Sequence, residues 1–309
     1  MRLVKQFLAV AAVALVGGQA AATMRGNPWL TLAVGAVTAV LAVLVYRWVV
    51  RRTERRAVTE LARAGAAGRV VRGTLIGVGM FGAVILNIAF LGGYRVHGLG
   101  SVTGAVAIFG FMAAAATTEE LLFRGVLFRI VEERTGTWLA LLLSGVVFGL
   151  MHLFNPGATL WGATAIALSA GLMLAACYAA TRNLWVPIGL HFGWNFAAGG
   201  IFSAVVSGNR ESTGLLESST SGPALLTGGD FGPEGSLYTV GAGLALTLVF
   251  LWLAHRRGHL VPRRRRVAGA PATGAESNAD ESTGVPATVA DESAGVPPTG
   301  GGSTATVLR

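Results

Sequence analysis

The chain has 309 residues, of which 53% are hydrophobic and 13% charged, with a formal net charge of +9. Soluble domains carry nearer ~25% charged residues, and the apolar residues here come in runs about as long as the ~20 residues that cross a hydrocarbon core. This excludes a water-soluble globule and predicts an all-α, polytopic transmembrane bundle. The positive charge fits membrane topology and attraction to anionic lipid. No aromatic-basic motif accompanies it, so no nucleic-acid partner is expected.

In chain order, eight spans are predicted, at residues 7–24, 28–50, 73–94, 102–131, 137–154, 158–180, 184–206 and 236–254. Arg2 and Lys5 stand before the first run, which ends Ala20-Ala21-Ala22. That pattern also resembles a signal peptide, whereas a first transmembrane helix keeps the topology consistent. Residues 51–72 hold seven arginines and are expected on the cytoplasmic side, as a solvated loop or a short interfacial helix. Counting spans from there puts Arg129, Arg134, Arg182 and the basic stretch from His255 inside as well. The Asn-Pro-Gly turn at 155–157 and the loop at 207–235 then fall outside.

The expectation is a multi-pass cell-membrane protein with both termini cytoplasmic. It divides into an N-terminal hairpin and arginine-rich linker (1–72), a membrane domain (73–254), and a basic, then disordered tail (255–309). In that tail ADESTGVP at 279–286 recurs as ADESAGVP at 290–297, with too little apolar surface to offset the entropy of ordering. The one cysteine, Cys177, excludes an intrachain disulfide and a cysteine metal cluster.

Ionisable groups inside a bilayer are costly, roughly 2.5–3.5 kcal/mol each on insertion scales, so they default to functional candidates. In the membrane domain these are Glu119, Glu120, Arg124, His152 and His191, joined by the amide of Asn195. Glu120 and Arg124 are one helical turn apart and can neutralise each other. Glu119 lies ~100° round the helix from Glu120 and is left without a local cation. Phe148 precedes His152 by one turn, and Asn195 follows His191 by one turn. Singly, a buried histidine or a Glu–Arg pair serves helix packing. Together they form the inventory of a hydrolase with a water nucleophile, in which a carboxylate and an imidazole take a proton while a second imidazole and a carboxamide donate to an oxyanion. Glu119, His152 and His191 equally suit a divalent metal such as zinc, although the HExxH pattern is absent.

EELLFRGVLF, FGLMH and HFGWN resemble, in order, the EExxxR, FxxxH and HxxxN motifs of the CPBP intramembrane proteases, which include the type II CAAX prenyl endopeptidases. The resemblance covers roughly residues 73–206 and implies an all-helical endopeptidase whose polar site opens towards the membrane interior and the cytosol. It implies that Glu119 and His152 activate the water, that His191 and Asn195 stabilise the oxyanion, and that Glu120, Arg124 and Phe148 support the site. The implied substrate is a lipidated or membrane-tethered peptide cut near its C-terminus. A non-proteolytic scaffold or small transporter on the same fold is the alternative. Such a transporter tends to show internal hydropathy repeats, and none is visible here.

Overall fold

The computed structural model describes residues 1–209 and 213–263. Among them, seven helices are long and apolar enough to cross a membrane: α1 (Arg2–Thr23), α2 (Pro28–Glu54), α3 (Ala66–Phe90), α4 (Val102–Thr135), α5 (Thr137–Phe154), α6 (Leu160–Thr181) and α8 (Leu237–Arg256). The remaining predicted span is α7, helical over Trp185–Asn195 and π-helical over Phe196–Ile201. It stops five residues short of the expected end because the chain turns at Ser203, which has a positive φ. The protein is thus a polytopic helical bundle, as expected. The tail predicted to be disordered, with its repeat, lies outside the described residues from 264 onward.

Local sequence sets the helix boundaries. Asn27 caps α2 by accepting from the Trp29 and Leu30 amides, with Pro28 at the first helical position, where its missing N–H costs nothing. Ser101 and Ser236 cap α4 and α8 in the same way. Leucine, valine and tryptophan side chains such as Leu15, Val37, Leu86, Trp138 and Leu248 stand exposed. In water that would be a liability, but in a bilayer it is the lipid-facing surface.

α4 sits at the centre, packed against α1, α2 and α7 and, through its C-terminal half, against α5. α3 crosses α7 closely. A Cβ at Gly73 or Gly77 would come within 2.2 Å of a carbonyl oxygen of α7, and one at Gly189 within 2.2 Å of the Val70 oxygen. Reciprocal Gly-xxx-Gly faces allow this approach, a common solution where the helix contact cannot rely on a hydrophobic driving force. They hold the turn of α7 that carries His191.

The helix ends segregate into two sets. At one end Arg129 binds Glu54 at 2.8 Å and Gln6 at 3.0 Å, and Gln6 binds Glu54. Arg2 pairs with Glu133, and Arg182 with Glu132. The Tyr46 hydroxyl donates to Glu60 and to the Gly125 carbonyl. The linker after α2 includes a three-residue turn, Thr59–Leu61, with Glu60 and Leu61 buried against the bundle, while Ala62, Arg63, Ala64 and Gly65 after it stand exposed. At the opposite end the Asn155 amide donates to Ser207 and the Gly157 N–H to Gly208. There a two-stranded antiparallel sheet, β1 (Tyr94–Leu99) with β2 (Leu216–Thr220), closes over the helix ends. The sheet was not apparent from the apolar pattern. The seven long helices together with α7 produce this division of loops, with the three arginine-bearing connections and both chain ends of the described bundle at one end.

Candidate active site

The two glutamates have different environments. Glu120 is fully buried, and its Oε1 accepts from Arg124 Nη1 at 2.7 Å and lies 2.9 Å from His191 Nδ1. Glu119, one residue earlier, keeps a third of its side chain exposed and lines a cleft of about 580 Å³. The expected division, a paired Glu120 and a free Glu119, is the arrangement observed, with one addition: Glu120 also orients His191.

Arg124 is held from three sides. Besides Glu120, its Nη2 donates to the Gly171 carbonyl at 3.1 Å and more weakly to that of Ala170. Its guanidinium carbon stands 4.5 Å from the centre of the Phe148 ring, a cation–π contact. Those carbonyls are available because residues Ala167–Gly171 are π-helical, which breaks the regular i→i−4 ladder. A second π segment, Leu121–Phe128, begins directly after Glu120, and the third begins directly after Asn195. π-Helical turns inside α-helices are rare and recur at functional sites. All three here touch the candidate site.

His152 lies near the end of α5 and Glu119 near the middle of α4, which made their pairing hard to place from sequence. The hairpin resolves it. Glu119 is seventeen residues before Gly136 and His152 sixteen after it. At ~1.5 Å per helical residue the two are level above their shared turn, and both line the cleft. His152 Nδ1 is 2.8 Å from the Phe148 carbonyl. A carbonyl can only accept, so Nδ1 carries the proton and Nε2 is left with its lone pair. Phe148 packs against both histidines, with ring centres 4.8 Å from His152 and 5.9 Å from His191.

Across the site, His191 Nε2 is 3.9 Å from Glu119 Oε2, too far for a direct hydrogen bond. Asn195 shares the face of His191 and lines both the cleft and a smaller inner cavity that contains His152 and His191. One participant escaped the sequence reading. Glu234, in the loop before α8, is buried and accepts from the Trp194 indole at 2.7 Å and the Ser207 hydroxyl at 2.6 Å, bordering the same inner cavity. No periodicity marks a loop acid that folds back.

The metal reading fares differently. Among the described residues no three His, Cys, Asp or Glu side chains converge as a group able to hold a metal ion. His191 Nδ1 meets Glu120 and His152 Nδ1 a carbonyl, which leaves Nε2 as the free donor atom of each ring, and no step below is routed through a metal.

The lining of the cleft includes Arg25, Asn155 and Asn209, all at the end remote from the arginine-rich network.

The fold and this site define a class: a multi-pass helical membrane protein with a carboxylate–imidazole centre inside the bundle. Residues 101–197 match the family described as "Type II CAAX prenyl endopeptidase Rce1-like", so the resemblance carried by the three motifs holds over the segment that contains every one of them. The chain is also similar to a curated Bacillus subtilis (strain 168) protein named "Putative membrane peptidase YdiL", at 35% identity over 77 residues. That alignment covers 25% of this chain and 29% of the relative. No solved structure matches.

Proposed function

We propose that the protein is an intramembrane endopeptidase that hydrolyses a peptide bond near the C-terminus of a lipidated or membrane-tethered substrate. The observation that carries this reading is the asymmetry of the adjacent glutamates. One is buried in an ion pair, while the other is accessible at the level of an imidazole with a free nitrogen. Glu119 takes a proton from a cleft water that His152 Nε2 helps to orient, the water oxygen attacks the scissile carbonyl, and Glu119 returns the proton to the leaving amine nitrogen as the C–N bond breaks. Nδ1–H of His191 donates to Glu120, so its opposite nitrogen, when protonated, and the Asn195 amide can donate to the developing oxyanion. Donors of this kind are worth about 10²–10³ in rate where they have been removed singly. Glu120, Arg124 and Phe148 hold the imidazoles in place. The family match and the membrane-peptidase relative support a peptidase. Incubation of the purified protein with a panel of lipidated and unlipidated peptides, read by mass spectrometry, tests the proposal. Cleavage of a lipidated peptide at one bond near its C-terminus is expected. An intact panel in the presence of folded protein would contradict it.

A further inference from the structure

The two ends of the cleft differ. At the arginine-rich end it stops above Gln6, whose side chain is buried and bonded to Thr53, Glu54 and Arg129. With the buried Arg129–Glu54 pair this forms a polar floor tying α1, α2 and α4 together. At the other end the lining is Arg25, Asn155 and Asn209, all in interhelical connections, and among the described residues no buried ion pair crosses it there. Along its side the wall is α1, the least buried of the seven long helices, through Phe7, Ala11 and Ala14.

Charge gives these ends a direction. Sixteen of the lysines and arginines among the described residues stand at the floor end, from Arg2 and Lys5 through the 51–72 linker to Arg263, against Arg25 and Arg95 at the rim end. Lysine and arginine bias of this size in short loops sets membrane orientation, the basic side remaining in the cytoplasm. We infer that the cleft loads from the extracytoplasmic face, so that its substrate is a peptide tethered in the outer leaflet or already translocated, and not the lipidated C-terminus of a cytosolic protein. This rests on the peptidase reading for the word substrate. The side from which the cleft is reached does not depend on it.

Ala115 lines the cleft one helical turn from Glu119, towards the rim, and the native Cys177 is fully buried. The test is Ala115→Cys in the full-length chain, treated with a small, charged, membrane-impermeant methanethiosulfonate. Intact spheroplasts are compared with inverted membrane vesicles. Ala64→Cys, exposed in the basic linker, and Ala224→Cys, exposed at the rim end, report each side independently. The expected result is that Ala115→Cys and Ala224→Cys label in spheroplasts and Ala64→Cys only in inverted vesicles. Labelling of Ala115→Cys only in inverted vesicles overturns the inference, as does labelling from both sides or from neither. No catalysis is read, so these outcomes are separate from those of the peptide assay. Cleavage with labelling from the cytoplasmic side removes this inference alone, and outside labelling without cleavage removes the peptidase reading alone.

Discussion

Replacing Arg124 by alanine removes a cation that is completely buried and leaves Glu120 without its charge partner. Breaking a buried pair in this way costs about 3–5 kcal/mol. The lost contact with the Phe148 ring, at 4.5 Å, adds on the order of 1–2 kcal/mol where the cation is desolvated. Two carbonyls, of Ala170 and Gly171, also lose a donor. Arg124→Ala should therefore be among the most destabilising single changes in the bundle. Glu120→Gln combined with Arg124→Met should recover part of that loss, because no unpaired charge remains and glutamine still accepts from His191. In a double-mutant cycle on reversible unfolding in mixed micelles, the coupling between positions 120 and 124 should be about 2–3 kcal/mol, the upper range for residues in one network. A coupling below roughly 0.5 kcal/mol would refute the pairing, and with it the division of labour between the two glutamates.

Three further outcomes are expected. Burial raises the pKa of the Glu60 carboxyl, but hydrogen bonds from Arg56, its own backbone N–H and the Tyr46 hydroxyl outweigh this and hold it below the usual carboxylate value. Such a group stabilises the fold above its unfolded pKa and loses that contribution as pH falls through the lower folded one. Glu60→Gln should therefore be less stable than wild type at neutral pH, with the gap in melting temperature closing towards acid; a gap independent of pH would contradict it. Ala14→Trp, which fills the cleft from α1, should lower peptide cleavage at least tenfold at unchanged melting temperature, and undiminished cleavage would show that the cleft is not the substrate path. Prolonged chelation should leave cleavage unchanged, since no three-donor cluster is present among the described residues; loss of activity restored by zinc would reverse that assignment.

Much of the site was legible because membrane spans tolerate few polar residues, so Glu119, Glu120, Arg124, His152, His191 and Asn195 stood out against apolar runs. Helical geometry alone separated the two glutamates. What escaped had no local signature. The π-helical turns at Leu121–Phe128 and Ala167–Gly171 are choices of backbone hydrogen-bond register made by tertiary packing. Glu234 acts through a chain reversal, and the level of His152 with Glu119 emerges only from counting about the hairpin turn at Gly136. The early end of α7 at Ile201 was hidden because apolar residues continue past it into a buried loop, where hydropathy does not distinguish span from packing.

The central claim is that Glu119, unlike its neighbour, acts on the water. Its most direct test is the rate of peptide cleavage by Glu119→Gln beside wild type in the same detergent preparation, with unfolding followed in parallel. Removal of a general base typically costs about 10²–10⁴-fold. The expected result is a loss of at least ~100-fold at unchanged stability, because the side chain lies partly exposed in the cleft and takes no part in the buried Glu120–Arg124 ion pair. Cleavage within threefold of wild type would contradict the account.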